Sequence, residues 1–294
     1  MKNEYLDRAN RIATDNISSA QQILKDTLDL LLDFCMKHSV ESEFKSELRS
    51  ISTTLSNAQS QMAALTNITR LIISASDRLT SNEVCPYIAT LRRKVDDASA
   101  RTASQAAALI AKGHSYATLS QSEFVIKTFE AAARENRFAT VYVMESRPLF
   151  EGRQTARSLK AIGHEAILVS DASIGFFINK INAAFVGADA ILFDGTIVNK
   201  IGSLALAAAC KVMNKNFYVV TSVLKFDHEK GEADFVNKEE SPHEIYANPE
   251  FDVKNVYFDM VRSDLITSIL TEAGSSSPVS DLRNLESSLT RLYG

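Results

Sequence analysis

The sequence predicts an α/β protein in which a helical N-terminal domain (residues 1–112) precedes a Rossmann-like domain (residues 113–294) built on a mainly parallel sheet. Three observations carry this. The first 112 residues contain no glycine and a single proline, Pro86, whereas all ten glycines lie from Gly113 onward. The apolar spacing changes at the same place, from i, i+3, i+4 repeats to short strands alternating with helices. The stretch Ala183–Met213 reads as a buried strand, a polar turn and an apolar helix, the unit from which open α/β sheets are made.

In the first part, Ile17, Ala20, Ile23, Leu24, Leu28, Leu31, Leu32 and Cys35 define one buried helical face. Phe44, Leu48, Ile51 and Leu55 define a second, and Met62, Leu65, Ile68, Leu71 and Ile72 a third. A further helix is expected from the basic triplet Arg92-Arg93-Lys94 to Ala111, with the triplet on a solvated face.

After Gly113, strands are expected at Ser115–Leu119, Ala139–Met144, Ala166–Val169 and Phe217–Thr221, and helices at Glu123–Arg134, Phe150–Ile162 and Ile174–Lys180. Lys225–Pro249 is charged and irregular, too polar for a core. In the tail, Val279, Leu282, Leu285, Leu289 and Leu292 have helical spacing and predict an amphipathic helix docked on the fold or on a partner.

A net charge of −4, with 45% hydrophobic and 23% charged residues, is that of an ordinary globular chain and argues against a dedicated nucleic-acid surface. Cys35, Cys85 and Cys210 lack the paired spacing of a zinc site, and an odd count argues against a disulfide framework. No metal or cofactor is expected. No apolar run approaches the roughly 20 residues that span a bilayer, and the N-terminus lacks a signal peptide's apolar region, so no membrane association is expected and the cytoplasm is the default.

The chemistry is expected where the strands end. Four polar clusters should converge there: Thr118-Leu119-Ser120-Gln121-Ser122, Glu145-Ser146-Arg147-Pro148, Ser170-Asp171-Ala172-Ser173, and Asp189 with Asn199-Lys200. The spacing places Asn199 and Lys200 at the opening of a helix running from about Ile201 to Met213, whose free N–H groups favour an anion, typically a phosphate. Arg147 has the planar donor fork suited to the same ligand. The same residues also fit a blander reading in which Asp189 ends a strand, Asn199 caps a helix, and Lys200 and Arg147 are solvated.

The segment VGADAILFDGTIVNKIGSLALAAACK resembles the signature of the family that joins the alpha, beta and delta subunits of translation initiation factor 2B to ribose-1,5-bisphosphate isomerase and methylthioribose-1-phosphate isomerase. The likeness extends through VYVMESRPLFEGRQTARSLKAIG, SDAS, NFYVVTSVLKFD, NPEFDVKNVYFDMV and ITSILTEAG, covering nearly all of the chain from about Lys112. The resemblance implies a pocket formed by Ser122, Arg147, Asp171, Asn199 and Lys200 that binds a sugar phosphate or nucleoside monophosphate. It also implies interaction with translation initiation factor 2, and assembly into a homodimer or larger homo-oligomer through the C-terminal domain.

In the isomerases of that family, an aspartate matching Asp189 and a cysteine on the loop after the first strand move protons between neighbouring sugar carbons. Here Asp189 is retained, but Ser120 stands at the cysteine's place, and a hydroxyl cannot serve the same acid–base role unaided. Two further departures are Arg8-Ala9-Asn10-Arg11-Ile12-Ala13, where the isomerases carry a glycine-containing loop, and Gln59-Ser60, where an Arg-Pro pair is usual. The sequence therefore favours a regulatory binding protein without isomerase chemistry. An aldose–ketose isomerase using Asp189 with a relocated partner, and a structural subunit with an empty pocket, stand as the alternatives.

Overall fold

The computed structural model describes residues 2–15, 19–38, 41–58, 62–277 and 282–294. Its N-terminal part consists of α1 (Lys2–Ala13), α2 (Ala20–Lys37), α3 (Glu41–Ala58), α4 (Ala63–Arg78) and α5 (Ser81–Ala107). The three faces anticipated from apolar spacing lie on α2, α3 and α4, with Leu28, Leu31, Leu48, Leu55, Leu65 and Ile68 fully buried. Ile17, Gln59-Ser60 and Val279 fall outside the described residues. Two features differ from expectation. One is that the helix expected from Arg92 begins eleven residues earlier at Ser81, and the other that it ends at Ala107, short of Ala111, whereas the helix at residues 2–13 accords with the helical reading of the first part. Glu83 explains that start: its carboxylate accepts from the Thr80 N–H at 2.9 Å and the Thr80 hydroxyl at 2.8 Å, closing the first turn.

The chain then runs β1 (Ser115–Thr118), α6 (Glu123–Arg134), β2 (Thr140–Met144), α7 (Glu151–Ile162), β3 (Glu165–Val169), α8 (Ile174–Phe177), β4 (Ala183–Val186), β5 (Ala190–Leu192), β6 (Ile197–Lys200), α9 (Ser203–Val212), β7 (Asn216–Val220), β8 (Phe226–Asp227), β9 (Phe258–Val261), β10 (Ser268–Thr271), β11 (Gly274–Ser276) and α10 (Leu282–Tyr293). Seven strands form one sheet in the order β11-β10-β7-β4-β1-β2-β3. All neighbours are parallel except β10 and β11. The α/β class and the helical N-terminal region read from the sequence are therefore present.

A second sheet, ordered β8-β5-β6-β9, was not anticipated. In it β6 lies antiparallel to both β5 and β9, with Asn199 opposite Asp259 and Lys200 opposite Phe258. This corrects the expectation for Asn199 and Lys200. They belong to a buried strand, not to a helix opening, and α9 starts only at Ser203 after Gly202 turns the chain at φ +99°.

Packing joins the two parts. One continuous buried cluster includes Leu24, Leu28, Leu65 and Ile88 from the helices together with Val186, Ile191, Val223 and Phe226. Buried Asn67 on α4 adds polar contacts, its side-chain amide donating to the carbonyls of Leu224 and Phe226 at 2.8 Å each. A second cluster, with Phe124, Phe129, Val141 and Phe185, fills the space between α5, α6 and the sheet. At the far end of the chain, Tyr293 is fully buried, and its hydroxyl donates to Glu272 Oε1 at 2.8 Å.

Candidate functional site

A cavity of about 700 Å³ opens where the carboxyl ends of β1 and β4 meet α1, α2 and the second sheet. Ser120, Ser122, Asp189, Asn199 and Lys200 line it, brought there from three separate stretches of the chain. Gly187 makes the approach possible. A methyl group on its Cα would sit 2.7 Å from Ser122 Oγ and 3.0 Å from Ser122 Cβ, so a bare backbone lets the strand end and the Ser122 side chain share this space.

Each lining residue is held by local structure. Ser122 caps α6, its hydroxyl accepting from the Val125 N–H at 3.4 Å. Asn199 is buried and donates to Ser203 Oγ at 2.8 Å, linking β6 to the start of α9. Ser120 sits at φ +57°, a left-handed conformation that costs a non-glycine residue about 1 kcal/mol. Two bonds fix it there: its N–H donates to Ser146 Oγ at 2.6 Å, and its carbonyl accepts from the Thr155 hydroxyl at 2.6 Å.

Arg147 and Asp171 lie apart from the cavity lining. Asp171 accepts from the Ser146 and Arg147 N–H groups at 2.8 and 2.7 Å, tying the loop after β3 to the loop after β2. The Arg147 guanidinium donates to the Ile245 carbonyl at 2.9 Å and lies over the Phe150 ring. Arg8 likewise points elsewhere, its guanidinium 2.6 Å from Asp33. Only Ala13 from the 8–13 stretch reaches the lining.

Lys200 and the opening turn of α9 each carry a carboxylate of the protein itself. Lys200 Nζ is 2.6 Å from Glu151 Oε1 and 4.7 Å from the centre of the Tyr257 ring, with both charged side chains largely buried. The opening turn of α9 is met by Asp259, whose Oδ2 accepts from the N–H groups of Gly202 at 2.7 Å and Leu204 at 3.1 Å. Burial raises the Asp259 pKa above its ordinary value, and these two N–H donors offset only part of that effect.

Sequence reasoning missed Lys225 and Glu151. Lys225 is buried against the cavity, its amine donating to the Ala188 carbonyl at 2.5 Å. Burial lowers its pKa, and the negative charges of Asp189 and Glu123 resist that fall. Nothing in the pattern around it marked Lys225, because it lies at the edge of a charged stretch that reads as a solvated loop. Glu123 joins the two parts of the chain across the cavity wall, with Lys25 at 2.9 Å and Lys127 at 2.7 Å. Burial opposes its ionisation, but the hydrogen bonds from Lys127 and Lys25 outweigh it and hold the carboxyl below its usual range.

No cysteine or histidine stands among the described residues that line the cavity. Cys210, on α9, is buried in the core, where loss of solvent pushes its thiol up to about 12. A model of the initiation factor 2 subunit family matches residues 16–278. The chain belongs to that family. A translation initiation factor eIF-2B subunit 2-like protein of Pyrococcus abyssi is 30% identical over 244 residues, 83% of this chain and 86% of the relative. Ribose 1,5-bisphosphate isomerase of Archaeoglobus fulgidus is 27% identical over 290 residues, 94% of this chain and 90% of the relative. Among solved structures, the translation initiation factor eIF-2B of Pyrococcus horikoshii OT3 superposes with a TM-score of 0.86 at 26% identity, covering 95% of this chain and 98% of that one. The initiation factor 2 subunit family thus joins relatives named for translation with relatives named for sugar-phosphate isomerisation, and this chain is similar to both.

Proposed function

We propose that this member of the initiation factor 2 subunit family is a regulatory binding protein of the cytoplasm whose cavity takes a sugar phosphate or nucleoside monophosphate without isomerising it. The observation that carries the reading is the make-up of the cavity wall. Asp189, Asn199 and Lys200 are present, but the second proton carrier is a hydroxyl, Ser120, with no thiol or imidazole among the described lining residues to replace it. A strained serine held by Ser146 and Thr155 keeps the loop's shape and lacks its chemistry. The names of the eIF-2B-like relatives support an association with translation initiation factor 2.

The same reading includes assembly into a homodimer or larger homo-oligomer. Helices α8 and α9 pack side by side, and Phe176, Leu204 and Val212 on them are exposed, the kind of apolar surface that a partner covers.

Calorimetry with AMP and ribose 5-phosphate, paired with an assay for conversion of ribose 1,5-bisphosphate to ribulose 1,5-bisphosphate, tests the function. Binding without turnover is the expected result. One observation favours isomerisation as a second reading: Lys225, with its lowered pKa, stands beside Asp189 and could carry the second proton. Turnover on the order of 1 per second, abolished by Asp189→Asn, would establish that reading and overturn the first.

A further inference from the structure

Glu151 is the residue in the cavity wall whose position the binding reading does not by itself require. It begins α7, reaches across to β6, and places Oε1 2.6 Å from Lys200 Nζ. Its other oxygen, Oε2, is buried and has no hydrogen-bond partner among the described residues. A buried carboxylate oxygen without a donor is costly, and such an oxygen at a cavity wall is an open position for a ligand hydroxyl. The Tyr257 ring lies 4.7 Å and the Phe258 ring 5.9 Å from the same ammonium. With Glu151 in place the Lys200 charge is already paired, so a phosphate gains it in full by displacing that carboxylate.

The rest of the cavity does not make up the deficit. Asp15, Glu123, Glu151, Asp189 and Glu240 line it with five carboxylates, against the three lysines Lys200, Lys225 and Lys238. Each of those lysines is already engaged: Lys200 by Glu151, Lys225 by the Ala188 carbonyl, and Lys238 by Glu240 at 3.2 Å. The start of α9 is capped by Asp259, and the starts of α2 and α6, which reach the lining, are capped by the Ser19 and Ser122 hydroxyls. A sugar bisphosphate would bring about four negative charges into this setting, and a monophosphate about two.

We infer that Glu151 is an internal anion seated on Lys200, which an incoming phosphate must displace, and that it restricts the site to ligands with a single phosphate and a hydroxyl-bearing body. The inference rests on reading the cavity as a ligand site, and it adds a specificity-determining residue to that reading. It also distinguishes this cavity from one built for a bisphosphate, which needs two uncompensated cationic positions.

Titration calorimetry of the 294-residue chain with ribose 5-phosphate and ribose 1,5-bisphosphate tests it. The expected result is that the bisphosphate binds wild type no more tightly than the monophosphate, while Glu151→Gln binds both more tightly and gains at least about tenfold more for the bisphosphate, the value of one charge-assisted contact; an equal gain for both overturns the inference. A bisphosphate preference of tenfold or more in wild type overturns the inference. Binding by wild type with no gain in Glu151→Gln also overturns it and leaves the ligand reading standing. Binding by Glu151→Gln alone shows that Glu151 closes the site outright, which overturns the selection of a monophosphate together with the ligand reading for wild type, and binding by neither chain also overturns both. Should Glu151→Gln not fold, with Lys200 left unpaired, the double variant Glu151→Gln/Lys200→Met carries the test because it holds no unpaired charge. Monophosphate binding weaker than wild type by about tenfold is expected of it, and an unchanged affinity shows that the ligand never engages Lys200.

Discussion

Asp259 caps the helix that begins after Gly202. Its carboxylate lies across from Asn199 in the β6–β9 ladder and accepts both the Gly202 and the Leu204 N–H. The positive end of α9 is thereby satisfied from within the protein.

This pairing predicts that charge matters less than shape at position 259. The folded-state pKa of Asp259 is raised, so ionisation works against the fold: its contribution is full below the unfolded carboxylate pKa and is lost as pH rises through the raised folded value. At pH 7, Asp259→Asn, which keeps an oxygen acceptor, should change stability by less than Asp259→Ala. The alanine variant should lose about 0.5–2 kcal/mol, the usual worth of a helix cap. Urea denaturation of the two variants checks the order, and equal losses would contradict it.

Lys225 should show a conflict between stability and binding. Its folded-state pKa is depressed by burial, so protonating it costs stability, and that cost is relieved as pH rises from the depressed value towards the ordinary lysine range. Lys225→Met should therefore melt no lower than wild type at pH 7. Any advantage should shrink at pH 10, and affinity for a phosphate ligand should fall. The Ala188 carbonyl keeps a donor in this variant, the Thr221 hydroxyl at 3.4 Å. Thermal melts at the two pH values, with one titration at pH 7, decide the matter.

The sheet and most helices were legible because their signals are local. Glu123–Arg134 was read to the residue, and β1, β2, β3 and β7 to within about one residue at each end, from apolar periodicity and glycine placement. The second sheet was not legible, because nothing within Ile197–Lys200 announces a strand whose partner, Phe258–Val261, lies some sixty residues further on. For the same reason the sequence put Lys200 at a helix mouth. Asn199, Lys200, Asp189, Ser120 and Ser122 were correctly foreseen as neighbours, but Glu151 and Lys225 reach them through tertiary packing alone. Arg147 and Asp171 carried the right residue types at strand ends, yet their side chains bond to Ile245 and to backbone N–H groups outside the lining.

Gly187→Ala tests the close approach at the strand end. The new methyl group would lie 2.7 Å from Ser122 Oγ and 3.0 Å from Ser122 Cβ, and the serine cannot withdraw without giving up the α6 cap. A loss of about 1–3 kcal/mol is expected from overpacking, together with weaker ligand binding. Chemical denaturation gives the first quantity and calorimetry the second. An unperturbed variant on both counts would show that the loop has room to spare.

Tyr293→Phe should cost about 1–2 kcal/mol, since among the described residues it leaves the buried Glu272 carboxylate with donors from Ser222 and the Val223 N–H alone. Tyr293→Ala should cost more, about 3–5 kcal/mol, because it also empties a fully buried aromatic position between α10 and the core. Denaturant midpoints of the two variants separate the hydroxyl from the ring.

The two hydrogen bonds from Asn67 fix when in folding the site comes into being. They pin the residues on either side of Lys225 to a helix 157 and 159 positions earlier in the chain, so no contiguous piece of sequence can hold the lysine in place. Loops of that span close late, and contacts of such long range slow folding. A phosphate ligand consequently meets its binding geometry only in the finished molecule. It will lengthen the native lifetime in inverse proportion to the unoccupied fraction and leave the refolding rate unchanged, a division that stopped-flow traces with and without ligand will display.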